Sequence, residues 1–561
     1  MNGLKSKTEA LKDEYNPWYP KYEYRPGQKA VVASAWGAIH KGYRFIALNL
    51  PTGWGKSVLG GALGNLIGGA DICTTQISLQ DQYLAFGDDY KRVMGRGNFF
   101  CKHDNRLSCD KGLCLTKDKF KCPYAPQKSG KFVAYGIKYW NFEEEEKHCP
   151  YWHQVSEAVN AKNRIFNYAY YILRMAVPMN DFPSMPIQVL DEAHKAEEYV
   201  RNVAMFEMKD RSLYHVRFIK GVDYVEYSEY DEIPVRKLNT TEKTVEWLRE
   251  LKEIVEIRIE STRLASESGV EGLMRRRQML EGFGDKITEL LYWYEKDPKN
   301  WVRYDIRDGI KLIPKDIGPY AQQKLFRYSP LTVLMSATLP PKDTLCKRLG
   351  IDPEEMFYYS GDSIFPAENA PIYLNPKPVM KYDPNGMNKL RNIMGGSILG
   401  SIQERPEKKG LILCNSFQEV EFYSNYIRER DMNAYMRLTI HERGDKVPNV
   451  LEEHLAKPYS VMISPSCWEG LDLEGEKGEF CFVAKIPYED FSDPLVKAFS
   501  ETDKRRNFEN ACLKLRQGLG RVVRSPTDKV EIIIGDAGVK TLIRYNKEQF
   551  PEEVLKRLVY L

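Results

Sequence analysis

At 561 residues the chain is too long for one small domain, and at roughly 100–200 residues per domain several compact units are expected. Hydrophobic residues at 43% supply enough apolar material for sizeable cores, which excludes wholesale disorder. Lys plus Arg number 82 against 78 Asp plus Glu, a net charge of +4, so a uniform polyanion binder is excluded and any nucleic-acid site is a local groove.

The chain holds no apolar run long enough to cross a bilayer, and Met1–Glu9 lacks the apolar core of a secretory signal. A soluble, cytoplasmic, monomeric protein without a membrane partner is therefore expected. Some twenty residues precede Arg25, too few for a further catalytic domain.

In chain order, the first strong strand signal is the apolar run Phe45–Leu50, followed at once by Pro51-Thr52-Gly53-Trp54-Gly55-Lys56-Ser57. Val58–Ala70, rich in Leu, Ala and Gly, reads as a tightly packed helix. Residues 95–165 carry five cysteines and the acidic run Glu143–Glu146, with few strand signals. Ile187–Leu190 reads as a strand ending at Asp191-Glu192-Ala193-His194. Residues 196–325 read as largely helical: Val245, Leu248, Leu251, Val255 and Ile259 recur at spacings of three and four, one apolar stripe. Leu331–Met335 is a further strand, ending at Ser336-Ala337-Thr338. Strands at Gly410–Cys414, Ser460–Ser464, Phe480–Ile486 and Val530–Ile534 then alternate with helical segments such as Phe417–Glu429 and Phe508–Gln517. This alternation predicts an α/β protein with two parallel sheets, each covered by helices on both faces. The polar motifs follow the carboxyl ends of strands, the edge where open α/β sheets bind ligands.

A glycine-rich turn between strand and helix brings backbone N–H groups onto phosphates, and the helix N-terminus adds a favourable dipole. Thr52, Gly53 and Gly55 would shape that loop, Lys56 would reach the terminal phosphates, and Ser57 would hold Mg²⁺. One departure is Leu50, where such loops usually carry Gly or Ala. Asp191 is expected to bind the same Mg²⁺ through water, and Glu192 to orient and deprotonate the attacking water. Further along, Gln517-Gly-Leu-Gly-Arg-Val-Val-Arg524 places Arg521 and Arg524 three apart, on one face of a helical segment. Such a pair suits a bidentate grip on a γ-phosphate, with ATP held in a cleft between the two sheets. The bland alternative is a solvated basic helix face shared with Lys504, Arg505, Arg506, Lys514 and Arg516.

Of eleven cysteines, five lie within 49 residues: Cys101, Cys109, Cys114, Cys122 and Cys149. An odd total and no secretory signal argue against a disulfide framework, and a local cluster points to a metal. Four thiolates suit a structural Zn²⁺ as well as an iron–sulfur cluster. Single-stranded nucleic acid needs basic groups and aromatic faces, and Lys162–Tyr171 supplies both. Arg164 and Tyr168 in that stretch, and Trp468 far along the chain, are candidate contacts.

Together the motifs resemble superfamily 2 helicases, in order over most of the chain. Arg25-Pro-Gly-Gln28 looks like the adenine-reading Q motif, Pro51–Ser57 like motif I, and Thr74–Gln80 like motif Ia. Asp191–His194 resembles the DEAH box, Ser336–Thr338 motif III, Asn415–Phe417 motif IV, Ser464–Asp472 motif V and Gln517–Arg524 motif VI. Gly95–Cys101 and Cys149–Trp152 resemble the two ends of the iron–sulfur domain of XPD/DinG helicases. The resemblance implies two RecA-like motor domains, ATP with Mg²⁺ as cofactor, and 5′→3′ unwinding of DNA. It places motor domain 1 at 1–94, 166–195 and 326–345, motor domain 2 at 346–561, a [4Fe–4S] domain at 95–165, and a helical Arch-like domain at 196–325. Single-stranded DNA and forked or tailed duplexes are the implied partners, and Asp472 the implied further nucleotide contact. Cys101 and Cys149 match the first and last cluster ligands. Cys109 with Cys114 fits the DinG-like spacing, and Cys114 with Cys122 the XPD-like one, so which cysteine is left over stays open. The segment Gly535–Gly538 lacks the Asp-x-Arg often found in the family, which leaves the role of Asp536 open.

Overall fold

The computed structural model describes residues 24–112, 124, 149–175, 182–209, 240–266, 271–307, 309–363, 365–380, 386–471, 473–523 and 527–561. In chain order the strands are β1 (Phe45–Asn49), β2 (Ala70–Thr74), β3 (Tyr90–Val93), β4 (Asn163–Asn167), β5 (Ile187–Asp191), β6 (Phe206–Lys209), β7 (Trp301–Ile306), β8 (Gly309–Pro314), β9 (Leu331–Ser336) and β10 (Met356–Ser360). They continue with β11 (Ile372–Leu374), β12 (Gly410–Leu413), β13 (Leu438–Ile440), β14 (Val461–Ser464), β15 (Phe480–Val483), β16 (Glu531–Ile534) and β17 (Leu558–Tyr560).

Two seven-stranded parallel sheets form, in the orders β10-β1-β9-β5-β2-β4-β3 and β13-β14-β12-β15-β16-β11-β17. The central strands are buried on both faces, which is why Phe45–Asn49, Ile187–Asp191 and Leu331–Ser336 read as continuous apolar runs. Each sheet separates two apolar clusters, one under each helical layer. All seven strands expected from sequence are present, displaced by a residue or a few at their ends.

Three boundaries differ from the expectation. The first sheet takes β10 as its edge beside β1, so the first sheet domain reaches Ser360 rather than ending at residue 345. β4 pairs along its whole length with β2 and β3, so the sheet begins at Asn163, before residue 166. The 196–325 region is not simply helical: β6, β8 and β7 form a three-stranded antiparallel sheet at its base. On that sheet pack helices Thr241–Ser266 and Glu271–Lys296. The predicted stripe is their seam, with Leu248, Leu251 and Val255 buried and Gly284 letting the helices close on Val255 and Ile259. No helix among the described residues is long and apolar enough to cross a membrane.

Candidate nucleotide site

Strand order places β9 between β1 and β5, so three polar strand ends converge at one sheet edge. The loop after β1 turns through Gly53 and Gly55, at φ +85° and +68°, a region that penalises any side chain. A Cβ on Gly55 would also lie 2.8 Å from Gln28 Nε2. Gln28 Nε2 donates to the Trp54 carbonyl at 2.6 Å, Arg25 Nη1 donates to the Gly53 carbonyl at 2.6 Å, and the Arg25 N–H donates to Gln28 Oε1. Arg25 and Gln28 therefore brace the loop backbone. Leu50 is accommodated because it sits against Gly361, where a Cβ would approach its Cδ2 to 2.8 Å.

Lys56 and Ser57 begin the helix Lys56–Ile67. Ser57 Oγ is 3.4 Å from Asp191 Oδ2 and 3.3 Å from Gln82 Oε1. Glu192 adopts φ +54°, a strained setting for a non-glycine residue, and its N–H donates to Asp191 Oδ1. Ser336 at the end of β9 donates to Glu192 Oε2 at 3.1 Å, and His194 Nδ1 lies 2.8 Å from Ser336 Oγ and 3.3 Å from Glu192 Oε2.

The two carboxyls are driven apart electrostatically. Burial and the adjacent Glu192 charge push Asp191 above the usual carboxylate range, against Lys56 and the Tyr83 hydrogen bond. Burial opposes the Glu192 charge too, but the His194 hydrogen bond, the Lys56 charge and Ser336 hold it well below that range. Such divergence is how neighbouring carboxyls take different chemical roles.

The opposite wall comes from the second sheet domain. Gln517 Nε2 meets Thr338 Oγ1 at 3.3 Å, and Arg516 donates to the carbonyls of Leu339, Ala337 and Gln549. Thr52, Lys56, Ser57, Asp191, Glu192, Gln517 and Arg521 all face one cleft of about 800 Å³. Arg521 lies beyond the helix Arg506–Leu519, not on it, because the helix stops at Gly520. Its guanidinium donates to the Leu471 and Gln517 carbonyls. Arg516 and Arg506 are largely buried, so the solvated-face reading holds for Lys504 and Arg505, just before this helix, and for Lys514 on it. Asp472 and Arg524 lie outside the described residues.

The helicase C-terminal domain family matches residues 399–557. An ATP-dependent DNA helicase YoaA of Haemophilus influenzae is 23% identical over 433 residues, spanning 68% of this chain and 64% of the relative. The DinG helicase of Photobacterium profundum is 22% identical over 53% of this chain and 46% of its own length. A solved XPD helicase superposes with a TM-score of 0.60 at 13% identity, covering 96% of this chain and 99% of the other. The Xpd4 structure of S. tokodaii gives 0.57 at 14% identity, covering 96% and 100%. Residues 399–557 belong to the helicase C-terminal domain family, and the chain is similar in sequence to the YoaA and DinG helicases. It spans a little under two thirds of the length of the YoaA relative.

The candidate strand contacts are interior. Arg164 is fully buried and makes a bidentate pair with Asp71, at 2.6 and 2.9 Å. Tyr168 is fully buried with its hydroxyl on the Asp191 carbonyl, and Trp468 is buried with Nε1 on the Cys414 carbonyl. Its charge is compensated by this bidentate pair and none of its surface is exposed, so Arg164 cannot reach a phosphate. Asp536 likewise serves the fold, accepting from the N–H groups of Met380, Gly538 and Ile486. The tyrosines at Asp191 and the Lys195–Glu469 ion pair were not foreseen, since no local motif marks either.

The described part of the cysteine-bearing segment folds back on itself at residues 99–109. The Cys101 N–H donates to the Leu107 carbonyl, Cys109 N–H to Phe99, and Cys149 N–H to Tyr124. Cys101, Cys109 and Cys149 are buried in one cluster, with the Cys109 and Cys149 sulfurs 3.8 Å apart. Among the described residues no group of three or more ligating side chains is arranged to share an ion. Cys114 and Cys122 lie outside the described residues. The contacting thiols of Cys109 and Cys149, with Cys101 in the same apolar cluster, fit a thiolate-ligated group by donor chemistry.

Proposed function

We propose that the protein is an ATP-dependent DNA helicase that translocates 5′→3′ on single-stranded DNA and opens forked or tailed duplexes. The observation that carries this reading is the convergence of Lys56, Ser57, Asp191 and Glu192 with Gln517 and Arg521 in one cleft between two parallel-sheet domains. The YoaA and DinG relatives, named as ATP-dependent DNA helicases, support it. Asp191–His194 is read as a DEAH box, residues 95–162 as an iron–sulfur insertion and residues 196–325 as an Arch-like insertion.

In this reading Lys56 neutralises terminal phosphate charge, while Ser57 and Asp191 hold Mg²⁺, which supplies charge stabilisation at the transferring phosphoryl group. Glu192, kept ionised by His194 and Ser336, accepts the proton of the attacking water. Ser336 and Thr338 lie between that base and Gln517, so loss of the γ-phosphate is transmitted to the second domain. Arg521 leaves its carbonyl partners to complete the site from across the cleft. Lys56→Ala or Glu192→Gln is expected to abolish ATP turnover while single-strand binding survives. Retained turnover in either variant refutes these roles, and unwinding of 3′-tailed but not 5′-tailed duplexes refutes the polarity.

For the cysteines, the proposal is a [4Fe–4S] cluster held by Cys101, Cys114, Cys149 and either Cys109 or Cys122. A single Zn²⁺ is the second reading. Two sulfurs on one tetrahedral ion with bonds of about 2.3 Å sit ~3.8 Å apart, which the Cys109–Cys149 separation matches.

A further inference from the structure

Asp191 is gripped by two tyrosines from different elements. Tyr83, fully buried on the helix Ile77–Leu84, donates its hydroxyl to Asp191 Oδ2 at 3.0 Å. Tyr168, fully buried at the start of the helix Tyr168–Met175, donates to the Asp191 backbone carbonyl at 2.9 Å. Both rings are fixed. Tyr168 stacks on Tyr199 at 5.0 Å and 11°, and Tyr83 meets Phe86 edge-on at 5.5 Å. The Tyr83 hydroxyl is also walled in by the loop helix, since a Cβ on Gly60 would come within 3.1 Å of it. With no surface exposed, neither tyrosine can touch a nucleotide or a DNA strand; each acts only through what its hydroxyl holds.

We propose that Tyr83 and Tyr168 are positioning residues that hold Asp191 for its divalent cation. This rests on the reading of Asp191 as a Mg²⁺-binding carboxylate. Tyr83 fixes the rotation of the carboxylate, leaving it directed toward Ser57 Oγ. Tyr168 fixes the peptide that leads into Glu192, whose left-handed backbone persists only where the surroundings over-determine it. Partners of this kind, one bond removed from the metal, set ligand orientation and hence affinity. The helix that begins with Tyr168 also carries Tyr170, whose hydroxyl lies 2.8 Å from that of Tyr151, two residues past Cys149. The cysteine-bearing segment is thereby joined to the same clamp.

The test uses the full chain and its Tyr83→Phe, Tyr168→Phe and Tyr90→Phe variants. ATP turnover is titrated against Mg²⁺ at saturating ATP. Mn²⁺ binding to the chain with a non-hydrolysable ATP analogue is read by electron paramagnetic resonance, where weaker binding is expected in the Tyr83 and Tyr168 variants. Phenylalanine keeps both ring contacts and removes only the hydroxyl. The Tyr83 and Tyr168 variants are expected to need about tenfold more Mg²⁺ for half-maximal turnover, with the maximal rate largely recovered at excess cation. Tyr90 has a buried hydroxyl bonded to Asn65 and Gly61 and does not touch Asp191, so its variant keeps the wild-type Mg²⁺ requirement. A merely destabilised fold lowers the active fraction without moving the Mg²⁺ midpoint. Unchanged midpoints in the Tyr83 and Tyr168 variants overturn the positioning role and leave the ATPase reading standing. A wild-type chain with no Mg²⁺-dependent ATP turnover overturns that reading itself.

Discussion

Lys195 Nζ lies 2.5 Å from Glu469 Oε2, which ties the segment carrying Asp191 and Glu192 to the loop that follows β14 in the other sheet domain. Lys195 also reaches Glu198 at 3.2 Å, and both Lys195 and Glu469 line the cleft. The side chains are 27% and 35% exposed, so solvent screens the pair and its worth is at most ~1 kcal/mol. That is enough to bias an opening equilibrium and too little to lock it.

Glu469→Gln is therefore expected to lower DNA-stimulated ATP turnover by up to about fivefold, the rate equivalent of ~1 kcal/mol, with ATP binding retained. A double-mutant cycle with Lys195→Met should return a coupling of the same size. Strictly additive single effects would show that the pair does not act as a unit.

The sheet skeleton was legible because strands buried on both faces need apolar side chains throughout. Strands at a sheet edge or next to it need not be apolar throughout, and the edges β3 and β10 and the neighbouring β4, reading Tyr-Lys-Arg-Val, Met-Phe-Tyr-Tyr-Ser and Asn-Arg-Ile-Phe-Asn, gave no such run. β4 misled further, since its Arg164 resembles a phosphate contact until Asp71, 93 residues away, is seen to neutralise it. The loop residues Gly53–Ser57 and the pair Asp191-Glu192 were legible because their chemistry demands a short contiguous string. The contacts that join the domains, such as Lys195–Glu469 and Gln517–Thr338, depend on pairings 274 and 179 residues apart that no local pattern encodes.

Gln517, beside Arg516, reaches from the second domain to the strand end of the first, through its 3.3 Å contact with Thr338 Oγ1. A neutral hydrogen bond of this length contributes about 1 kcal/mol. Gln517→Ala should reduce kcat about fivefold while leaving KM for ATP nearly unchanged, and Thr338→Val should do the same without adding to it in the double variant. A rise in KM alone would place Gln517 on the nucleotide instead of in the coupling path.

Glu197 sits at the meeting point of Arg201, Arg348 and Arg506, the first two from the first sheet domain and the third from the second. Burial opposes its charge, but the three guanidinium groups bring its pKa down to about 2. In the unfolded chain a glutamate titrates near ~4.3. Between those values the native state binds fewer protons, so stability rises with pH there, is fully present above, and is lost as pH falls toward 2. Glu197→Gln is expected to cost about 3 kcal/mol at pH 7, because it leaves buried arginines uncompensated. In urea melts the gap from wild type should hold constant between pH 8 and 6 and narrow below about pH 4. A gap that stays constant to pH 3 would remove the ionised Glu197 from the explanation.

The cysteines give the last prediction, and metal content decides it. Cys109 and Cys149 are in sulfur contact and Cys101 is buried in the same cluster, whereas Cys73 lies within β2, closed off on both sides. Serine at 101 or 149 should abolish bound metal in protein purified without oxygen, while Cys73→Ser should retain it. Iron with acid-labile sulfide in the wild type supports the cluster; stoichiometric zinc without iron supports the tetrahedral ion. Because Cys149 caps the helix Pro150–Asn160, and Tyr151 on that helix meets Tyr170, metal loss should loosen this helix before the sheet behind it. Hydrogen exchange should therefore quicken first across residues 150–160 in the Cys149→Ser variant. Protection lost equally throughout β1, β5 and β9 would instead mean that the substitution unfolds the whole domain.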